Sequence, residues 1–182
     1  MYIDINNLYK RFGKVEILKG ITFYWKRKTK YIIKGENGIG KSTLFKSILN
    51  QIKYDGIIEV SGRISYAPEI PPFPPYMSAY TFIKTISQLS DTIENFENKL
   101  DKYLELFNIK GKKKSQLGSL SKGQKQKINL IASLLTPSEI LLLDEPFSGL
   151  DDDSKIKLLD VLNSDERLLI IISHEIEYFD FI

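Results

Sequence analysis

Gly35-Glu36-Asn37-Gly38-Ile39-Gly40-Lys41-Ser42 is the stretch of sequence that decides the fold. It matches the pattern G-x-x-x-x-G-K-[ST] and lies between a predicted strand at residues 31–33 and a predicted helix at residues 44–49, which is the context that this pattern requires. Its glycines let the backbone curve around a phosphate without Cβ clashes, so that successive N–H groups and the helix N-terminus face the negative charge. The stretch therefore predicts a phosphate-binding loop in an α/β core.

The end of this loop supplies the predicted side-chain contacts to a nucleotide. Lys41 is expected to hold the β- and γ-phosphates, and Ser42 to place its hydroxyl on Mg²⁺, while Thr43 is a weaker candidate for a phosphate contact. A chance match to the pattern in a chain of this length has a probability on the order of one in a hundred. The remaining predicted nucleotide contacts in the loop are Gly35, Asn37, Gly38 and Gly40.

Three short apolar runs, at residues 31–33, 140–143 and 168–172, are typical of parallel strands buried on both faces. Residues 1–25 and 57–66 instead contain alternating stretches, which predict half-exposed, antiparallel strands in a smaller sheet. Five prolines between Ala67 and Tyr76 mark a boundary, and apolar residues at helical spacing from Ser78 to Phe107 predict a helical insertion. The predicted fold class is thus α/β, a P-loop core with a small antiparallel β subdomain and a helical insertion.

We expect one domain over residues 1–182, divided into three parts. The antiparallel β subdomain is predicted at approximately residues 1–30 and 55–66, the P-loop core at 31–54 and 136–182, and the helical subdomain at 70–135.

Two carboxylates, Asp144 and Glu145, follow the apolar run at residues 140–143, where an open α/β sheet places its ligand site. Asp144 is expected to bind Mg²⁺ through the water shell of the ion. Glu145 is expected to orient and deprotonate the attacking water. The alternative is a helix N-cap region, which would be favoured if the pair stood alone; the phosphate-binding loop favours the catalytic interpretation.

Composition restricts the choice of partners. The net charge of +3 is too small to predict nucleic-acid binding. The longest apolar runs fall far below the ~18 residues that a membrane-spanning helix needs. The sequence begins Met1-Tyr2-Ile3-Asp4, without a secretory signal pattern, and contains no cysteine, so a cytoplasmic location is expected.

Leu120-Ser121-Lys122-Gly123-Gln124 resembles the signature sequence that separates ABC ATPases from other P-loop enzymes. The phosphate-binding loop, the signature, Asp144 and His174 also occur in the order that this family shows. The resemblance covers essentially the whole chain. It implies ATP as the nucleotide, hydrolysis of ATP, and a transmembrane permease on a separate chain, to which this one would attach at the inner face of the cell membrane.

The resemblance also implies that two such domains pack head to tail, as a homodimer or as a heterodimer with a second ABC ATPase. Each ATP then lies between the phosphate-binding loop of one domain and the signature of the other. Gln124 begins a predicted helix at residues 124–134, and Ser121 and Gly123 lie just before it. A hydroxyl, backbone N–H groups and the helix dipole would therefore face a γ-phosphate. Lys122 occupies a place that often holds glycine in this family.

Three further residues match positions with known roles in the family. Phe12 resembles the aromatic residue that stacks on adenine, with a core aromatic as the alternative. Ser148-Gly149-Leu150-Asp151 resembles the loop that passes information between the two sites, with Asp151 as its expected contact and a plain acidic turn as the alternative. His174 resembles the switch histidine, which contacts the γ-phosphate and helps to hold the water and Glu145 in register, although a lone histidine is more often structural.

Two departures from the family pattern also carry information. Glu69 stands where many members have glutamine; its carboxylate can still meet the metal shell but cannot donate as an amide can. The Pro68-Glu69 pair and the prolines after it are similar to those of ABC exporters, which favours export. The chain ends eight residues after His174, where most transporter domains continue, and a short subunit and part of a longer one both remain open.

The rival interpretations are a soluble ABC ATPase that acts on DNA, ribosomes or cofactor assembly, and a nucleotide kinase outside the ABC family. Chromosome and repair ATPases separate the loop from the signature by a long coiled coil, and translation factors carry two loops in tandem; this sequence shows neither feature. A kinase would leave residues 120–124 unexplained.

Overall fold

The computed structural model describes residues 1–89 and 91–174, and the chain divides into two compact units. Unit 1 comprises Met1–Ile64, Ser138–Asp144 and the described residues from Glu166 onward, and unit 2 comprises Ser65–Pro137 and Glu145–Asp165. Within the part of the chain that is described, no helix is both long and apolar enough to span a bilayer.

The described residues form both β-strands and α-helices, and three of the strands pair in parallel, which confirms the α/β prediction. The strands are β1 (Tyr2–Phe12), β2 (Val15–Lys26), β3 (Lys30–Ile33), β4 (Asp55–Ser61), β5 (Ile64–Ala67), β6 (Ile140–Asp144) and β7 (Leu168–Ile172). The α-helices are α1 (Lys41–Ile48), α2 (Ala79–Ser87), α3 (Phe96–Leu106), α4 (Lys122–Leu135) and α5 (Asp152–Ser164), and short 3₁₀ turns occur at Lys110–Lys112 and Leu117–Ser119.

The antiparallel sheet of unit 1 has the strand order β2-β1-β4. Ile3, Ile5 and Leu8 of β1 are fully buried and alternate for the most part with more exposed residues, as a sheet with one buried face requires. The prediction that this sheet continues to residue 66 is wrong. The chain turns at Gly62, which has a φ of 124°, and Ile64–Ala67 form the separate strand β5.

The parallel strands β3, β6 and β7 of unit 1 have their carboxyl ends at the same level. β7 lies between β3 and β6, and Ile172 is paired with both Ile33 and Asp144. β6 and β7 are entirely buried, as predicted, whereas β3 is only half-buried because it is an edge strand. The three strands therefore end at the same level. The loop after β3, Asp144 and the residues after β7 all lie at the carboxyl ends of the strands, where open α/β sheets bind ligands.

Unit 2 is built around α4. Residues 126–135 of this helix are all buried, including four polar ones: Gln126, Lys127, Asn129 and Ser133. Both α2 and α3 pack against it. Ser65 of β5 donates a hydrogen bond from Oγ to the carbonyl oxygen of Ser133 at 2.8 Å. The helices predicted between residues 78 and 107 and at residues 124–134 are confirmed, and the second begins two residues earlier than predicted, at Lys122.

Candidate functional site

The loop at residues 34–40, which we call the cradle together with Lys41 and Ser42, joins β3 to α1. Gly38 and Gly40 have φ values of 81° and 114°, which side-chain-bearing residues rarely adopt. Gly40 is the N-cap of α1, and a Cβ at this position would lie 2.7 Å from Cγ2 of Ile17. The backbone of the cradle therefore curves into the N-terminus of α1 with dihedral angles that favour glycine. A phosphate-binding loop requires this conformation.

Lys41 supplies the positive charge of the cradle. Its Nζ atom donates to the carbonyl oxygens of Gly35 at 2.6 Å and Glu36 at 2.9 Å, so the ammonium group folds back over the loop that precedes it. Ser42 and Thr43 lie in the first turn of α1 and are half-buried. A phosphate that enters the loop would meet the lysine, the helix dipole and unpaired N–H groups of the first turn at the same place.

His174 lies against the cradle although it is 137 residues away in sequence. Its Nε2 atom is 2.6 Å from Oδ1 of Asn37, a distance at which the ring nitrogen donates to the amide oxygen. Because Asn37 belongs to the loop, this contact holds the imidazole beside the predicted phosphate position. The structure therefore brings together two site residues that the sequence predicted separately.

Unit 1, which contains the cradle, also has oxygen atoms suited to a magnesium ion. Asp144 ends β6 and is 3% exposed, and Ser42 offers a hydroxyl in the first turn of α1. Mg²⁺ is bound in nucleotide enzymes by one or two protein oxygens together with the phosphates of the substrate. The residues present fit that ion.

In unit 2, the N-terminus of α4 carries the segment at residues 120–124. Ser121 is the N-cap: its Oγ accepts from the backbone N–H of Gln124 at 3.3 Å, and Oε1 of Gln124 accepts from the N–H of Ser121 at 3.1 Å. This capping box fixes the first turn and uses the side chain of Gln124 within it. A cavity of about 560 Å³ is open to Ser121, Gly123 and Gln124.

Residues 145–151, which we call segment 145–151, follow β6 and end at the N-cap of α5. Glu145 has a φ of 49°, a left-handed conformation that costs a residue with a side chain on the order of 1–3 kcal/mol. Gln126 of α4 donates from Nε2 to the carbonyl oxygens of Glu145 and Pro146, both at 3.3 Å. The strained turn at the predicted general base is thus held by a side chain of α4.

The far end of segment 145–151 is tied to the same helix. The Nζ atom of Lys127 lies 2.6 Å from Oδ2 of Asp151, and Oδ1 of Asp151 accepts from the backbone N–H of Ser154 at 2.9 Å. The lysine hydrogen bond and the donors of Ser154 hold the pKa of Asp151 well below its usual range. Both carboxylate oxygens of Asp151 therefore have partners within its own chain, and its role between the two sites stays a prediction.

Gly123 allows α4 to approach this segment closely. A Cβ at Gly123 would lie 2.4 Å from the carbonyl oxygen of Gly149, so no larger residue fits without movement of the backbone. The side chain of Lys122 lies beside Gly149 and reaches Oγ of Ser148 at 3.5 Å. The lysine that departs from the family pattern contacts the neighbouring loop of its own chain.

Two predicted site residues lie outside these clusters. Phe12 ends β1, is 52% exposed and has Nζ of Lys10 4.7 Å from its ring centre, so its alternative interpretation as a core aromatic is wrong. Glu69 is exposed in unit 2, where it lines a cavity of about 390 Å³ with Lys122, Lys125 and other residues.

Sequence reasoning missed the structural roles of Gln126 and Lys127. Both follow the signature, and an apolar run typical of a buried helix begins one residue later. Most buried polar side chains are hydrogen-bonded, so burial of the helix would have indicated that both residues have partners. The sequence does not say which partners, because these lie 19 to 24 residues further along the chain.

Comparison with known proteins gives matches over most of the chain. A family described as ABC transporter matches residues 18–148. An uncharacterized ABC transporter ATP-binding protein of Methanocaldococcus jannaschii is 32% identical, over 96% of this chain and 69% of its own length. An aliphatic sulfonates import ATP-binding protein of Bacillus subtilis is 33% identical, over 79% of this chain and 60% of its own length.

Solved structures share the fold. The ATP-binding subunit of an ABC transporter superposes with a TM-score of 0.89 at 23% identity, over 97% of this chain and 81% of that one. The chain spans between 59% and 75% of the length of several curated relatives that it matches.

Proposed function

Since the chain belongs to the ABC transporter family and is an ATPase of the P-loop type, we propose that it is the motor subunit of a transporter whose membrane-spanning part is a separate polypeptide. The observation that carries the proposal is the presence of two helix N-termini suited to binding phosphate. One is the cradle, and the other is the capped N-terminus of α4 with Ser121 exposed at its start. A kinase or a GTPase needs the first feature alone.

The cradle is proposed to bind the phosphates of ATP. Lys41 would exchange its two carbonyl partners, Gly35 and Glu36, for the β- and γ-phosphate oxygens, which are stronger acceptors because they are charged. The backbone at Gly38 and Gly40 would donate N–H groups, and the N-terminus of α1 would add its dipole. Phe12, exposed and already in contact with a lysine, offers a ring on which adenine can stack.

Ser42 and Asp144 are the residues that would hold Mg²⁺, with Glu69 as a further candidate for its water shell. The ion supplies charge neutralisation on the phosphates when it is bound. The position of Asp144 at the end of β6 favours this assignment, because the cradle follows β3 at the same carboxyl end of the parallel strands, where open α/β sheets bind ligands.

Glu145 is proposed to accept the proton of the attacking water. Its carboxylate follows Asp144 directly in sequence, and its left-handed backbone turns the chain sharply after β6. His174 is proposed to contact the γ-phosphate through its ring. Asn37 supports this role, because the 2.6 Å contact fixes the imidazole against the cradle before any phosphate arrives.

A second copy of the chain, or a related ABC ATPase, would complete each site. We propose that Ser121 and the N–H groups at Gly123 face the γ-phosphate of an ATP held in the cradle of the partner. The capping box keeps this helix terminus preformed, so that little ordering is needed when the two domains close. Closure on ATP and opening after hydrolysis would drive the membrane partner through the helices of unit 2.

Substrate and direction depend on the membrane partner. The Pro68-Glu69 pair favours export, whereas the Bacillus subtilis relative is named an import protein. The proposed location is the inner face of the cell membrane, bound to the permease.

The experiment is to purify the tagged chain from membranes of its native host under mild detergent and to identify what accompanies it. The expected result is a polypeptide with several membrane-spanning helices, recovered in a fixed ratio. The matched control is the Lys41→Ala variant, which should retain the partner because ATP binding and membrane docking use different residues. Recovery of ribosomes or nucleic acid in place of a membrane protein would support the soluble rival.

A further inference from the structure

One buried amide reaches the turn that carries the proposed general base. Gln126 is 5% exposed, and its Nε2 atom lies 3.3 Å from the carbonyl oxygens of both Glu145 and Pro146. Two carbonyls can only accept, so the amide must present its NH₂ group, which has one hydrogen for each.

The turn needs such support because its own backbone is unfavourable. Glu145 is held at a φ of 49°, and Pro146 has no N–H with which to stabilise the turn. Within the segment, the N–H of Ser148 donates to the carbonyl of Glu145 at 3.1 Å. Strained conformations persist where the surroundings fix them, and Gln126 supplies two of the contacts that fix this one.

The amide is part of a continuous face of α4. Lys122 and Gln126 are one helical turn apart, and so are Gly123 and Lys127; side chains with this spacing lie on the same side of a helix. Lys122 reaches Ser148, Gly123 lies against the carbonyl of Gly149, and Lys127 pairs with Asp151. Segment 145–151 is therefore held along its whole length by the first two turns of α4.

We propose that Gln126 is a positioning residue for Glu145, and that it couples the phosphate-facing end of α4 to the general base of the same chain. The proposal rests on the proposed function, since it takes Glu145 as the base. Because Ser121 and Gly123 begin the helix that carries Gln126, contact of this helix end with a phosphate would bear directly on the orientation of Glu145. Turnover, and not nucleotide binding, is the quantity that Gln126 controls.

The test compares two substitutions in the full chain, Gln126→Met and Gln126→Glu. Methionine has similar length but no donor at any pH. We expect Gln126→Met to lower kcat for ATP hydrolysis about tenfold to hundredfold, with KM for Mg-ATP within about twofold of the parent, because misplacement of a catalytic group reduces rate and not substrate binding.

The Gln126→Glu variant adds a readout that a purely structural role would not move. An ionised carboxylate facing two carbonyl oxygens cannot donate, whereas the protonated acid can donate one hydrogen bond. Burial beside these oxygens favours the protonated form, although Lys122, Lys125 and Glu69 line the same cavity and also act on its charge. Relative to the parent at each pH, kcat should be low at pH 8 and rise towards pH 5.5.

Ser65→Ala is the matched control, because it removes another buried hydrogen bond to α4, the one to Ser133, without touching segment 145–151. It should lower Tm and leave kcat unchanged. Parent-like kcat in both Gln126 variants, or a pH profile for Gln126→Glu that parallels the parent, overturns the proposal. If Gln126→Met does not fold, the pH profile of Gln126→Glu decides alone.

Glu145→Gln, measured in parallel, separates the two levels of inference. If Glu145→Gln is inactive while the Gln126 variants keep the kcat of the parent, the inference about Gln126 alone fails. If Glu145→Gln turns over normally, the proposed role of Glu145 fails, and the positioning role fails with it.

Discussion

Two regions of the molecule differ in how far apart in sequence their contacts are: the cradle, and the N-terminal half of α4 together with segment 145–151. In the cradle, the groups proposed to bind phosphate lie within eight consecutive residues, 35–42, and their geometry follows from glycine dihedral angles and one lysine. In unit 2, the contacts between α4 and segment 145–151 join residues 19 to 26 positions apart. A binding loop can be specified locally, whereas the orientation of a catalytic group depends on tertiary packing. Changes in the two regions should therefore affect different quantities, nucleotide affinity in the first and turnover in the second.

The largest expected effect comes from Glu145→Gln. Loss of the proposed general base should lower the rate of phosphate release by about 10²- to 10⁴-fold, while equilibrium binding of Mg-ATP stays close to that of the parent. Asp152→Asn, which alters an exposed carboxylate in the first turn of α5, is the control and should retain full turnover. Normal turnover in Glu145→Gln would remove the catalytic half of the comparison.

A pair of glycine substitutions contrasts the regions more sharply. In Gly40→Ala the new Cβ meets Ile17 at a φ of 114°, and in Gly123→Ala it meets the carbonyl of Gly149. Each should reduce the free energy of unfolding by about 1–3 kcal/mol. Gly40→Ala should also weaken nucleotide binding, whereas Gly123→Ala should mainly slow turnover.

Gly111→Ala is the control for this pair, because a Cβ at Gly111 would meet nothing within 4 Å. Denaturant unfolding, nucleotide titration and phosphate release on all three variants separate the effects. Equal loss of affinity in Gly40→Ala and Gly123→Ala would contradict the division between local and tertiary sites.

The smallest expected effect concerns the ion pair of Asp151 with Lys127. Because the folded protein lowers the pKa of Asp151, the pair stabilises the fold at pH values above the ordinary pKa of about 3.9, and the contribution is lost as the pH falls below that value. Asn at this position keeps the N-cap of α5 but not the charge. When the pH falls from 5 to 3, the Tm of Asp151→Asn should therefore decrease less than the Tm of the parent, as measured by thermal unfolding. Parallel curves would show that the pair contributes nothing.

The features predicted correctly from sequence are those that depend on neighbouring residues. The buried runs at residues 140–143 and 168–172 form β6 and β7, and the helical spacing after Ser78 forms α2 and α3. The two errors concern tertiary placement. An apolar run does not indicate whether its strand lies at an edge, as β3 does. Alternation at residues 64–66 looks the same whether or not the chain turns at Gly62 to leave the antiparallel sheet.

The site follows the same division. The glycines of the cradle and Lys41 are evident from their spacing, but the contact between Asn37 and His174 spans 137 residues and the support of Glu145 by Gln126 spans 19. Patterning indicates that buried polar groups need partners, and only the fold identifies them.

The central claim is that two chains share each ATP, and mixing two inactive variants tests it most directly. Lys41→Ala disables the cradle. Ser121→Asp keeps the N-cap of α4, since aspartate caps as well as serine, but presents a negative charge to the γ-phosphate. In a head-to-tail dimer formed from one chain of each kind, one site carries both defects and the other is intact.

Each variant alone should be nearly inactive. After subunit exchange about half of the dimers are mixed and each has one intact site, so phosphate release should recover to about a quarter of the parent rate. A mixture that remains as inactive as its two components, under conditions in which the parent chain hydrolyses ATP, would contradict the account.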